Sequence, residues 1–206
     1  MNKSLHRHFV KTAIEFSPRL SADIKAAGPM IIPNRKHQGI GEFLSRVIIG
    51  QQLSTKAAAT IWQRVREAGR EQHSRVIDFF VEQNIEQLRS CGVSGNKAKA
   101  LLAIRAGVEN GSLSTRKLNK LSTDQRGKAL MEIHGIGRWT ADIASIFFFC
   151  DEDVWPDGDL SVVKVFNQYL NKRQLKSATH HAARFQPYRS YLAYYMWHLA
   201  DNAPTK

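Results

Sequence analysis

Between Leu130 and Asp142 the chain reads Leu-Met-Glu-Ile-His-Gly-Ile-Gly-Arg-Trp-Thr-Ala-Asp, and no other stretch restricts the fold as tightly. Upstream, Ser122 and Gln125 make a capping box ahead of Ala129 and Leu130, so a helix is expected to run into Gly135-Ile136-Gly137. Downstream, Ala141 to Phe149 is apolar on every side, which predicts a central helix with little solvent contact. Two glycines around one aliphatic residue allow a very tight turn, with Ile136 plugging the core. The first N–H groups of the following helix then face outward and, with the positive end of its dipole, suit a phosphate oxygen. A Gly-x-Gly alone is often only a turn. Set between two helices of a basic chain, it predicts a helix–hairpin–helix.

Helical spacing continues almost everywhere else. From Ser54 to Ala68 the residues Ala57, Ala58, Ile61, Trp62 and Val65 recur at that spacing, with Gly69 as the expected stop. Pro187 suits a first helical position, and Tyr191, Leu192, Tyr195, Met196 and Leu199 then line one face. No alternating run bounded by hairpin turns is present. The predicted class is all-α.

The chain has 206 residues, with 30 Lys and Arg against 18 Asp and Glu, a formal charge of +12. That excess favours a polyanion, with nucleic acid first, although an anionic membrane surface or plain solubility would give the same figure. The longest apolar run, Ile143 to Cys150, is far short of the ~20 residues a bilayer span needs. The charged N-terminus offers no export signal, so an intracellular protein, in the bacterial cytoplasm at the nucleoid, is expected. The two cysteines, Cys91 and Cys150, are isolated; they exclude an all-cysteine iron–sulfur cluster and are expected to be reduced and buried.

The segments LMEIHGIGRWTADIASIF and DVWPDGDLSVVK, with Ile48-Ile-Gly-Gln-Gln-Leu-Ser54, Gly95-Asn-Lys-Ala-Lys-Ala-Leu-Leu102 and Pro187 to Trp197 in order, resemble one family. It is the helix–hairpin–helix base-excision DNA glycosylases, and within them the 3-methyladenine DNA glycosylase II family. The resemblance spans Gly41 to His198. It implies two helical lobes flanking a cleft in one domain, 1–206: a lobe around 41–139, and a second from 1–40 plus 140–206. The first 40 residues are too few for the additional N-terminal β-sheet domain of the best-known bacterial member, so this looks like the compact form. His134 stands where many relatives have proline.

Asp159 lies 22 residues after Gly137, behind the turn Trp155-Pro-Asp-Gly158 and ahead of Leu160-Ser-Val-Val-Lys-Val-Phe166. An aspartate there is most often simply a helix cap. The resemblance makes it the catalytic carboxylate, stabilising oxocarbenium charge on the deoxyribose and assisting the attacking water. Asp157, inside a Pro-Asp-Gly turn, reads as structural. Where strand-cleaving relatives keep a Schiff-base lysine, this chain has Trp139, which implies a monofunctional enzyme leaving an intact abasic site. Lys164, one turn beyond Asp159, reads as a surface or phosphate contact.

Trp139 and Trp197 match aromatic positions of the family's base pocket, and Trp155 precedes the catalytic turn; Trp62 reads as core. Indole faces attract a base made cationic by alkylation at N3 or N7, and the same charge weakens the glycosidic bond. The implied substrates are therefore alkylated purines of the 3-methyladenine and 7-methylguanine type in duplex DNA, released by base flipping during base excision repair. Gln52 occupies the wedge position of the intercalating loop. Phosphate contacts are expected from the Gly135 and Gly137 amides, Arg138, Lys97 and Lys99. No cofactor is required, although the family's hairpin often holds Na⁺ or K⁺, here through the carbonyls of Met131, Ile133 and Ile136. A monomer is expected. Two alternatives stay open: a glycosylase of the same fold for uracil, mismatched thymine or oxidised bases, and a non-catalytic DNA clamp.

Overall fold

The computed structural model describes residues 1–72 and 75–202, and among these it contains helices and turns but no strand. The helices are α1 (Lys3–Ile14), α2 (Pro18–Ala27), α3 (Ile40–Gly50), α4 (Thr55–Gln72), α5 (Ile85–Ser90), α6 (Gly95–Glu109), α7 (Thr115–Leu118), α8 (Thr123–Met131), α9 (Arg138–Ala144), α10 (Leu160–Asn167), α11 (Lys172–Leu175), α12 (Ala178–Ala183) and α13 (Arg189–Asp201). No described helix is long and apolar enough to cross a membrane.

The chain divides into two compact units, Asn34–Phe149 and Met1–Pro33 with the chain from Cys150 onward. The first takes in more than the expected 41–139, because the segments on either side are pinned to it. The Arg35 amide donates to the Phe147 carbonyl at 2.9 Å, and the Phe148 ring sits 5.4 Å from that of Phe43. Its core gathers Phe43, Leu44 and Ile48 of α3, Val65 of α4, and Leu101 and Ile104 of α6, all buried.

In the other unit α1 packs on α2 and α10 on α13. Phe9, Leu20, Phe166, Phe185, Tyr195 and Met196 form its centre. Ser17 caps α2 with Pro18 at its first position, the arrangement that satisfies an orphan N–H and pre-sets φ.

Several local expectations change. Gly69 does not stop α4, which runs on to Gln72; its bare Cα lets Val76 pack, since a Cβ there would come within 3.2 Å of the Val76 side chain. The apolar stretch after the hairpin is two pieces, α9 and a π-helical turn at Ser145–Phe149. Pro187 sits in a turn with a cis Gln186–Pro187 peptide, and α13 begins two residues later. Cys91 is buried as expected, whereas Cys150 is exposed.

Candidate active site and nucleic-acid interface

The Ser122–Gln125 capping box starts α8 as the sequence indicates. After α8 the chain tightens through bonds from the Ile133 amide to Leu130 O at 3.1 Å and from the Ile136 amide to Ile133 O at 3.0 Å. Gly135 takes φ +86°, the left-handed region, and a Cβ there would meet the Ala100 Cβ at 2.3 Å. Ile136 is buried. Gly137 caps α9 through its backbone alone, with nothing within 4 Å of where a Cβ would stand. The glycines therefore do different work: Gly135 lets the hairpin approach α6, and Gly137 leaves the outer face open.

Arg138 opens α9 with its side chain 61% exposed, yet its Nε donates to Oδ1 of buried Asp142 at 2.9 Å. That ion pair fixes the direction of the guanidinium. Lys99 is exposed on α6. Lys97 is placed otherwise than expected of a phosphate contact: Nζ donates to the carbonyls of Ile49 at 2.9 Å and Gln51 at 2.8 Å. Burial lowers its pKa below the usual lysine value. Gln52 is exposed at φ +58°, and the neighbouring Gln51 side chain donates to Thr140 Oγ1 at 3.0 Å. Trp139 is half-buried and, with Phe43, Arg46, Leu53 and Phe147, walls a cavity of about 460 Å³ within the Asn34–Phe149 unit.

Asp159 belongs to the other unit. It caps α10, with Oδ1 accepting the Val162 amide at 2.9 Å, and it is only 7% exposed. Its Oδ2 accepts the Trp197 indole N–H at 3.3 Å, so these two predicted residues are in contact. Trp155 is half-buried and edge-on to Phe166 at 5.2 Å, a packing role. Asp157 is exposed, and its amide closes the turn onto Trp155 O at 2.9 Å. Lys164 is exposed, beside Ser161 of the same helix and Gln168 that follows it.

Sequence reasoning missed what holds the turn ahead of Asp159. The Arg189 guanidinium grips both carboxylate oxygens of Asp153, at 2.7 and 3.0 Å. Buried Ser190 donates to Asp151 O at 2.6 Å and accepts the Val154 amide at 3.0 Å. Although burial pulls the Asp153 pKa upward, the hydrogen bonds and charge of Arg189 outweigh it and hold the carboxyl below its ordinary range. The start of α13 thus clamps the segment leading into Trp155-Pro-Asp-Gly158. The Arg189–Ser190 pair lies inside the motif ending at Trp197, but its partners could not be read from spacing.

No protein-family model matches the chain. It is 28% identical over 160 residues to DNA-3-methyladenine glycosylase 1 of Schizosaccharomyces pombe, covering 76% of this chain and 70% of that protein. It is 30% identical over 195 residues to a probable bifunctional transcriptional activator/DNA repair enzyme AlkA of Mycobacterium tuberculosis, covering 90% of this chain and 38% of that protein. The structure of S. pombe 3-methyladenine DNA glycosylase (Mag1) in complex with abasic DNA superposes with a TM-score of 0.83 at 25% identity, covering 98% of this chain and 99% of that one. In sequence and in fold the chain is similar to 3-methyladenine DNA glycosylases. The described residues are all-helical, and the superposition extends over nearly the whole of the Mag1 chain. Among the described residues no group of three or more His, Cys, Asp or Glu could hold a metal ion.

Proposed function

We propose that this chain is a monofunctional DNA glycosylase of the 3-methyladenine type, acting in base excision repair on alkylated purines flipped out of duplex DNA. The observation that carries the proposal is Asp159: a buried carboxylate at a helix N-terminus, aimed by one amide and one indole N–H. As the glycosidic bond lengthens, positive charge develops on the deoxyribose, and a pre-oriented carboxylate stabilises it without reorganising. The same carboxylate orients or deprotonates the attacking water. Trp139 offers no amine for a Schiff base, so water is the nucleophile and an intact abasic site the product.

Trp139 and Trp197 are the aromatics that the resemblance assigns to the base. An indole face contributes ~0.5–2 kcal/mol toward a cationic base once desolvated. Trp155, named with them by the resemblance, packs against Phe166 and so steadies the turn that precedes Asp159. On the DNA side, the Gly135 and Gly137 amides, Arg138 and Lys99 take phosphates, and Gln52 enters the stack where the base leaves. By the resemblance, the hairpin carbonyls of Met131, Ile133 and Ile136 would hold Na⁺ or K⁺; the Ile133 carbonyl, which accepts the Ile136 amide, keeps a second lone pair for it. Such an ion would brace the hairpin against the phosphate. The protein acts as a monomer on double-stranded DNA, in a bacterial cell at the nucleoid.

The test is free-base release from methylated, uracil-containing and 8-oxoguanine duplexes, followed by a nicking assay. Release of methylated purines without strand cleavage is expected. Release of uracil or 8-oxoguanine alone would reassign the substrate, cleavage would overturn monofunctionality, and binding with no release would make the chain a clamp.

A further inference from the structure

The chain segment between α3 and α4 is held more firmly than an exposed loop requires. Gln52 is a non-glycine residue at φ +58°, a sparsely populated conformation that persists only where its surroundings over-determine it. Three contacts do so. The Leu53 amide closes onto Gly50 O at 3.2 Å, and the Gln51 side chain reaches Thr140 Oγ1 of α9 at 3.0 Å. The third is Lys97, whose ammonium bridges Ile49 O and Gln51 O from α6. These carbonyls belong to the C-terminal end of α3, where helical partners run out and a cation complements the dipole. The Lys97 side chain is half-buried in doing so, and two of its three donors are spent inside the protein.

We infer that Lys97 is a positioning residue that acts through Gln52, fixing the loop that presents the wedge to the DNA stack. This rests on the proposed function, in which Gln52 fills the gap left by the flipped base. A wedge that had to find its conformation on the DNA would lose part of its effect to ordering; one already locked by α6 and α9 does not. The role differs from that of a phosphate-binding lysine, and the difference is measurable. A phosphate contact contributes about one counterion to the salt dependence of binding, whereas an internal cap contributes none.

The experiment uses Lys97→Met and Lys97→Arg, each in the native chain and in a Gln52→Ala chain. Base release is followed on methylated duplex, and loop insertion on a duplex carrying 2-aminopurine opposite a tetrahydrofuran abasic analogue. Lys97→Met should lower base release about tenfold with an unchanged salt slope. Lys97→Arg, which keeps donors for both carbonyls, should recover most of the loss. In the Gln52→Ala chain the Lys97 substitution should add nothing, because both act on one element. A salt slope reduced by about one, or a full additional loss in the Gln52→Ala chain, would overturn the inference. Thermal melting checks folding; should Lys97→Met not fold, the salt slope of Lys97→Arg and its coupling to Gln52→Ala decide the matter. If the native chain releases no base, the glycosylase reading falls, and the 2-aminopurine coupling alone then decides for or against Lys97.

Discussion

The indole N–H of Trp197 donates to Oδ2 of Asp159 at 3.3 Å, joining the middle of α13 to the cap of α10 across 38 residues of sequence. The other carboxylate oxygen accepts the Val162 amide, so the position of both oxygens is determined by the fold. A tryptophan expected to face the base therefore also aims the carboxylate.

Asp159→Asn keeps the capping acceptor, since asparagine caps a helix about as well as aspartate. DNA affinity should change little and the melting temperature fall modestly, because the new amide N–H faces the Trp197 indole N–H, while base release falls by at least about a hundredfold. Trp197→Phe keeps an aromatic wall but removes the donor; the loss of one hydrogen bond to a charged group should cost about tenfold in single-turnover base release. Base release that survives Asp159→Asn would remove the carboxylate from the mechanism.

Much of this was legible beforehand, and the reason is local. The capping box at Ser122, the Gly-Ile-Gly turn and an aspartate before an aliphatic helix are short-range patterns whose physics is contained in the residues themselves. What escaped was set by partners distant in sequence. Nothing in Gly95-Asn-Lys97 indicates that its lysine reaches Ile49 and Gln51, and a basic residue on a basic chain reads by default as a phosphate contact. The Asp153–Arg189 clamp was hidden in the same way, as was the continuation of α4 through Gly69, where a missing side chain admits Val76.

The Asp153–Arg189 pair makes the turn ahead of Asp159 acid-sensitive. Arg189 holds the folded-state pKa of Asp153 below that of the unfolded chain, despite the opposing effect of burial. Its contribution to stability is thus fully present above the unfolded value, about 3.9, and disappears as pH falls through the folded value. Asp153→Asn should lower the melting temperature at neutral pH and flatten the acid limb of the stability curve. Equal acid limbs for the two proteins would contradict this.

Arg138 holds Asp142 and is proposed to contact a phosphate, and one substitution separates the two roles. Arg138→Gln should reduce the salt slope of duplex binding by about one, as expected for a lost phosphate contact. It also removes the cation beside Oδ1 of buried Asp142, so a stability loss of about 1 kcal/mol is expected in denaturant unfolding, held down because the arginine is mostly exposed. A slope that stays constant while stability falls would make Arg138 purely structural.

The two hairpin glycines should respond oppositely to alanine. At Gly135 a methyl group would need the left-handed φ of +86° and would stand 2.3 Å from the Ala100 Cβ. Both strain and overlap act on the folded state, so Gly135→Ala should destabilise by about 1–3 kcal/mol and shift the hairpin away from α6. At Gly137 the φ is −94° and the space around a Cβ is open, so Gly137→Ala should leave the melting temperature nearly unchanged. Its methyl group would instead project into the open face proposed to meet a phosphate, and duplex affinity should fall while base release at saturating protein is retained. Equal stability losses at the two positions would mean that the openness at Gly137 serves packing rather than DNA.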